Sequence, residues 1–217
     1  MIFMTNLIDT IIILIILTNL MLLGSSRLRT CIFVVAMQGV LLGILAFFTE
    51  GSGFTIHLIL LPTAIIVLKG IIFPFLLLRI LRNLNVQREV EPFVGYGTSI
   101  VISPLVLVVC IWLGSQLSLP IEAASSLVVP AAFFTITSGL FLIVSRKKAL
   151  TQVLGYLVLE NGIYVFGTSI ASKQPVLVEL GILLDVFVAV FVMGIAIYHI
   201  NREFEHTDVG RLNKLKG

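Results

Sequence analysis

The sequence predicts an all-α fold, a polytopic membrane bundle of seven transmembrane helices. Of the 217 residues, 59% are apolar and only 12% are charged, whereas soluble domains are about 45–50% apolar and about 25% charged. The mean hydropathy is +1.15. Seven apolar runs each approach or exceed the roughly 20 residues that a helix needs to cross a hydrocarbon core. No soluble globule of this size could bury so much apolar surface, which indicates an integral membrane protein.

The seven runs are the predicted spans. They are continuous rather than alternating, which disfavours a transmembrane β-barrel. Short segments rich in Gly, Ser, Pro and charged residues separate them, apart from one longer connection at 83–92. In chain order the spans are 3–23, 30–49, 55–81, 96–114, 123–144, 149–171 and 175–200.

The basic residues predict the orientation of the bundle. All of the 14 Lys and Arg residues except Lys69 and Lys173 fall in or beside the first, third and fifth connections or the C-terminal tail. Because basic residues favour the cytoplasmic side, the N-terminus is expected outside and the C-terminus in the cytoplasm. We expect one membrane domain over 1–217 that ends in a cytoplasmic tail at 201–217.

Three ionisable residues lie near the middle of predicted spans, namely Lys69, Glu160 and Asp185. Each costs about 2.5–3.5 kcal/mol at the centre of a membrane helix on insertion scales, so it should face the bundle interior and find a partner. Pro74 has no N–H to donate to the carbonyl of Gly70, which predicts a freed and kinked backbone beside Lys69. These three charges are the predicted proton or ion relay.

Further polar side chains inside the spans form the predicted supporting path: Tyr156, Tyr164, Gln38, Thr135 and Thr137. The two tyrosines lie one turn to either side of Glu160 on the same helix face. For the other three, hydrogen bonds that merely hold helices together are favoured. Lys69 could pair with Glu160 or with Asp185, and that choice stays open here.

Catalytic and cofactor signatures are missing from the sequence. Cys31 and Cys110 fall in different spans, with no Cys-x-x-Cys or Cys/His spacing. There is no Walker A loop, no G-x-G-x-x-G and no nucleophile elbow. We therefore expect no catalytic, metal-binding or cofactor-binding residues in this chain.

Four stretches match a known type of membrane subunit: GYLVLENG (155–162), VELGILLDVFVAVFVMG (178–194), VLKGIIFP (67–74) and the tail ending in LNKLKG (212–217). On these residues the chain resembles the hydrogenase-4 component E family over most of its length, most densely from Ser145 onward. The last three spans are also similar to the small three-helix subunit K of complex I and to the C component of Mrp-type antiporters. This second likeness divides the chain into a four-helix part, 1–122, and a three-helix part, 123–200.

The resemblance implies a non-catalytic membrane subunit of a complex I-like respiratory or hydrogen-evolving oxidoreductase in a prokaryotic cytoplasmic (inner) membrane. Its partners would be antiporter-like membrane subunits, peripheral redox subunits and lipid, and no nucleic acid. Nickel–iron or other metal centres and iron–sulfur clusters would lie in partner subunits. In subunit K two embedded glutamates help to form a proton-linked path. Glu160 matches the first, and the shorter acid Asp185 falls at the second.

Three functions are compatible with these residues. In the first, the chain helps to couple redox chemistry to proton or ion movement, and Lys69 sets the charge state of Glu160 and Asp185. In the second, the chain is a structural spacer with a static buried ion pair. In the third, it is a stand-alone ion or solute transporter. No convincing repeat relates its two halves, which argues against the third function.

Overall fold

A computed structural model describes residues 2–49, 62–83, 92–117, 125–170 and Gly194. The described chain is predominantly helical, and six of its helices are long and apolar enough to cross a membrane. They coincide with the first six predicted spans, which confirms the all-α membrane fold for this part. The seventh predicted span, 175–200, falls outside the described residues except for Gly194, and so does the tail, 201–217. The seven-span count and the orientation stay predictions.

The helices are numbered here in chain order. They are α1 (Ile2–Gly24), α2 (Leu28–Thr49), α3 (62–83), α4 (Tyr96–Gln116), α5 (Val128–Ser145) and α6 (Ala149–Ile170). Helix α3 is composite: it is α-helical at 62–65, π-helical at Ile66–Ile72 and α-helical again at Phe73–Asn83. Helix α5 begins later than the predicted 123, because 126–127 form a turn.

The hairpin of α5 and α6 is the most extensively packed pair among the described helices. Glycines make the close approach possible. A Cβ on Gly139 would collide with the backbone of Leu159, and one on Gly162 would collide with Ile136. Small residues serve this purpose at helix interfaces in membranes, where backbones must approach closely to gain packing energy. Around this hairpin, α1 packs on α2, α4 and α5, while α2 packs on α3 and α6.

Helix α3 meets α2 through a Gly-x-x-x-Gly motif, Gly39 and Gly43. A Cβ on Gly39 would lie 2.7 Å from the carbonyl carbon of Lys69, and one on Gly43 would collide with Ile66. The two glycines therefore face the π-helical segment directly. This contact brings the backbone of Lys69 directly against α2.

The π-helical segment surrounds Lys69 and ends just before Pro74. Without an N–H, Pro74 cannot bond to the carbonyl of Gly70 in the α-helical pattern. The preceding residue, Phe73, donates its N–H to the carbonyl of Leu68, five residues back. The backbone that the sequence predicts to be freed here thus takes the form of a widened helical turn. Such turns occur mostly as short insertions in α-helices and often at functional sites.

Two apolar clusters form the core, one toward each end of the bundle. One includes Leu22, Val35, Phe73, Leu142 and Val158. The other includes Ile15, Leu42, Ile65, Ala132 and Val165. On α1, α2, α3, α5 and α6 the two clusters are separated by a short stretch of chain. On α1, α2, α3 and α6 the buried polar side chains of the bundle centre come from these stretches, whereas on α5 Thr135 directly follows Phe134 of the first cluster.

Candidate functional site

A layer of polar side chains lies at mid-height between the two apolar clusters. We call it the polar layer. Every one of its members is buried. They are Thr18 and Asn19 of α1, Gln38 of α2, Lys69 of α3, Thr135 of α5, and Glu160 and Asn161 of α6.

An ion pair between α3 and α6 is the charged part of the polar layer. Nζ of Lys69 lies 2.7 Å from Oε1 of Glu160, and the two side chains are only 7% and 2% exposed. Nζ also donates to Oδ1 of Asn161 at 3.3 Å. The structure therefore brings Lys69 to Glu160. Asp185, the other candidate partner, lies outside the described residues.

Amide side chains extend this pair across the bundle. Nδ2 of Asn161 donates to Oε1 of Gln38 at 3.3 Å. Nε2 of Gln38 donates in turn to Oδ1 of Asn19 at 2.8 Å and to Oγ1 of Thr18 at 2.9 Å. Each amide accepts on its oxygen and donates through its nitrogen, so the hydrogen bonds all run in one direction, away from Lys69.

The chain of hydrogen bonds ends on α5. Nδ2 of Asn19 donates to Oγ1 of Thr135 at 2.8 Å, and Thr135 donates to the carbonyl of Ala131 at 2.7 Å. The path thus begins at an ammonium group and finishes at a backbone carbonyl, with an acceptor for each donor on the way. Hydrogen bonds aligned in this manner polarise one another in a low-dielectric interior. The arrangement stabilises positive charge at Lys69 and fixes the relative positions of five helices.

The sequence-predicted supporting residues divide into two groups. Gln38 and Thr135 belong to the polar layer. Thr137 does not: it is exposed and donates to the carbonyl of Phe133 at 2.7 Å. Tyr156 and Tyr164 are half-buried on α6, one turn on either side of Glu160, and each packs against a different apolar cluster.

The sequence patterns did not predict three members of the polar layer, namely Thr18, Asn19 and Asn161. Two of them carry amides in the middle of apolar runs, where a polar side chain needs an interhelical partner. Asn161 directly follows Glu160. The position of its amide next to a predicted buried carboxylate could have identified Asn161 as a site residue.

A second buried cation lies at the end of the bundle where α5 gives way to α6. Arg146 is 1% exposed, although its position among basic residues suggested a wetted connection. Its guanidinium donates to the carbonyls of Leu23 at 3.0 Å and Val94 at 3.2 Å, and it lies 4.2 Å above the ring centre of Tyr96. It therefore binds the C-terminal end of α1 to the segment that leads into α4.

Metal binding finds no support in the part of the chain that the structure describes. No group of three or more His, Cys, Asp or Glu side chains there could hold a metal ion. The chemistry available to the polar layer is that of its ionisable pair: ionisation, proton exchange and electrostatic positioning.

The fold and the polar layer define a multi-pass helical membrane protein with a charged centre. Over 203 residues, 93% of this chain and 92% of the relative, it is 28% identical to an uncharacterized protein of Mycobacterium tuberculosis. It is 27% identical over 161 residues, 74% of both chains, to the Hydrogenase-4 component E proteins of Escherichia coli K12 and Shigella flexneri. These matches confirm the resemblance to hydrogenase-4 component E. No family model and no solved structure matches the chain.

Proposed function

We propose that this chain is an accessory, non-catalytic membrane subunit of a complex I-like oxidoreductase complex and that its buried ion pair takes part in proton or ion coupling. The similarity to Hydrogenase-4 component E over 74% of the chain supports membership of such a complex. Antiporter-like and peripheral redox subunits would be its partners, and the metal centres would lie in those partners. The prokaryotic inner membrane is its expected location.

The Lys69–Glu160 pair is the observation that carries the coupling role. An ammonium and a carboxylate 2.7 Å apart are held away from solvent at mid-height in the bundle. Buried ion pairs are poor devices for stability, because desolvation offsets most of their attraction. In membrane spans, ionisable side chains are rare and commonly mark ion and proton pathways.

The mechanism follows from the distance between the two charges. With the ammonium at 2.7 Å, the ionised form of Glu160 is favoured. A shift of α3 that separated the pair would leave the carboxylate in an apolar environment, which favours proton uptake. Restoring the contact would release the proton. The π-helical turn around Lys69 is a suitable place for such a shift, because its hydrogen bonds already depart from the α-helical pattern.

Access to Glu160 is proposed to run along α6. Tyr156 lies one turn earlier on the same face and is half-buried, so its hydroxyl offers a hydrogen-bonding step toward the end of the bundle at which Arg146 lies. Asp185, one span further along the chain, is the proposed second acid. The amides of the polar layer orient charge but do not titrate near neutral pH, so the proton path would not pass through them.

A structural spacer is the second candidate, and one observation favours it. The hydrogen bonds of the polar layer join α1, α2, α3, α5 and α6. Such a network would also suit a protein whose task is to hold its helices, and its neighbours, in a fixed arrangement.

The decisive experiment replaces the carboxylate of Glu160 in the native membrane complex. Glu160→Gln keeps the shape and removes the ionisable group, while Glu160→Asp is the matched control that keeps it. After assembly has been confirmed, redox turnover and membrane-potential generation are measured together. We expect Glu160→Gln to abolish the membrane potential and Glu160→Asp to retain part of it. Wild-type coupling in the assembled Glu160→Gln complex would instead establish the spacer function.

A further inference from the structure

A small cavity lies between α1, α4 and α5, apart from the polar layer. Its volume is roughly 30 Å³, and one water molecule needs about 10–15 Å³ on the same measure. Most of the wall is apolar, including Leu23 and Phe134. Four of the lining residues carry a hydroxyl group, namely Ser99, Ser103, Thr137 and Ser138.

Ser138 is the residue that indicates a ligand in the cavity. It is 2% exposed, and its Oγ has no hydrogen-bond partner within the described ranges. Two threonines on the same helix, Thr135 and Thr137, donate to the carbonyl four residues earlier. Ser138 does not do so, and it is one of the residues that line the cavity. A buried hydroxyl without a partner is costly in an apolar environment, so an acceptor inside the cavity would offset that cost.

On the α4 side of the cavity, the serine hydroxyls can accept hydrogen bonds but have no proton left to donate. Oγ of Ser99 donates to the carbonyl of Gly95 at 3.0 Å, and Oγ of Ser103 donates to that of Ile100 at 3.1 Å. Each of these hydroxyls has therefore used its single proton but can still accept, and Ser99 already accepts one hydrogen bond from the guanidinium of Arg146 at 3.5 Å. The cavity thus combines one O–H that needs an acceptor with two oxygens that can receive donors.

We propose that the cavity binds one ordered water molecule that accepts a hydrogen bond from Ser138 of α5 and donates to Ser99 and Ser103 of α4. A water molecule has the size and the donor and acceptor groups that this wall requires.

The proposed water explains how α4 is held in place. The buried residues of α4 are Ser99, Ser103 and Cys110, so the helix presents small polar side chains rather than large apolar ones to the bundle. A bridging water adds hydrogen bonds to this seam. Such bonds substitute for apolar packing between membrane helices, where lipid is as apolar as the interior.

Radiolytic footprinting of the wild-type complex in ¹⁸O-labelled water tests the proposal. Hydroxyl radicals formed from a bound water oxidise the side chains that contact it, and mass spectrometry locates the label. Phe134 is fully buried and lines the cavity. Phe73 is 3% exposed, lies in an apolar cluster and does not line the cavity, so it is the matched control. We expect labelling of Phe134 well above that of Phe73, and equal labelling of the two would overturn the proposal.

Two variants then test the binding group. Ser138→Ala removes the hydroxyl that requires the water, so labelling of Phe134 is expected to fall to the level of Phe73. Ser115→Ala alters an exposed serine that donates to the carbonyl of Trp112, and it should leave the labelling of Phe134 unchanged. Undiminished labelling in Ser138→Ala would overturn the assignment of Ser138. Because the readout is water rather than coupling, the outcome is independent of the result for Glu160.

Discussion

Gly39 of α2 packs directly on the backbone of Lys69 in α3. A Cβ at position 39 would lie 2.7 Å from both the carbonyl carbon and the Cβ of Lys69. The buried cation therefore owes its position to the absence of a side chain on the neighbouring helix. Since Gln38 of the polar layer is the adjacent residue on α2, the same stretch of α2 both admits Lys69 and supports the hydrogen bonds around it.

Substitution of Gly39 by Ala should force α2 and α3 apart. Overpacking of this type costs about 1–3 kcal/mol, and the shift would lengthen the Lys69–Glu160 contact. The thermal stability of the purified complex and its membrane-potential generation are the measurements. Gly97→Ala is the matched control, because a Cβ at Gly97 of α4 meets nothing within 4 Å. Equal stability of the two variants would show that the α2–α3 contact is not tight.

Removal of the ammonium of Lys69 should destabilise the bundle more than removal of both partners. Lys69→Met leaves the carboxylate of Glu160 buried without its cation, and breaking such a pair costs about 3–5 kcal/mol. Glu160→Gln in the same chain removes the stranded charge, so the double variant should be more stable than Lys69→Met alone. The measurement is the free energy of unfolding of the wild type, both single variants and the double variant. These four values form a thermodynamic cycle. Additive effects would contradict a direct interaction.

The amide of Gln38 should matter for stability independently of charge. Gln38→Leu leaves the side-chain donor of Asn161 and the acceptor of Asn19 without their observed partners, and a buried group left unsatisfied costs about 1–3 kcal/mol. Gln152→Leu is the control, since that amide is half-buried and donates to the carbonyl of Arg146 outside the polar layer. In thermal unfolding, the midpoint temperature of Gln38→Leu should be clearly lower than that of Gln152→Leu. The reverse order would show that the polar layer does not depend on the amide of Gln38.

The sequence predicts the ionic part of the site because burying charge has a large cost. Lys69 and Glu160 are identifiable from that cost alone. The angular positions of residues around a helix could have refined the prediction of the supporting residues. Thr135 and Thr137 differ by about 200° around a helix, so only one of them can face the polar layer. The π-helical form of the backbone before Pro74 was not predictable, because a missing N–H frees a carbonyl without dictating the new pattern.

Arg146 shows a different limit of sequence reasoning. In the sequence it is one of three consecutive basic residues, and counting such residues predicts which side of the membrane they face. The count cannot distinguish a solvated side chain from one enclosed by distant segments. Leu23 and Val94, whose carbonyls it binds, lie 123 and 52 residues away in the chain. Only the packing of α1 and α4 against α5 brings these acceptors together.

Arg146→Lys should loosen the start of α4 while leaving the charge unchanged. A lysine ammonium is a single point of charge, whereas the planar guanidinium reaches the carbonyls of Leu23 and Val94 from different nitrogens and stacks on Tyr96. We expect faster hydrogen exchange of backbone amides over 92–103, read by mass spectrometry, with little change in α2. Arg79→Lys makes the same exchange at an exposed position of α3 and should leave 92–103 unaffected. Unaltered exchange in Arg146→Lys would mean that packing of α4 on α5, rather than the guanidinium, holds this end of the bundle together.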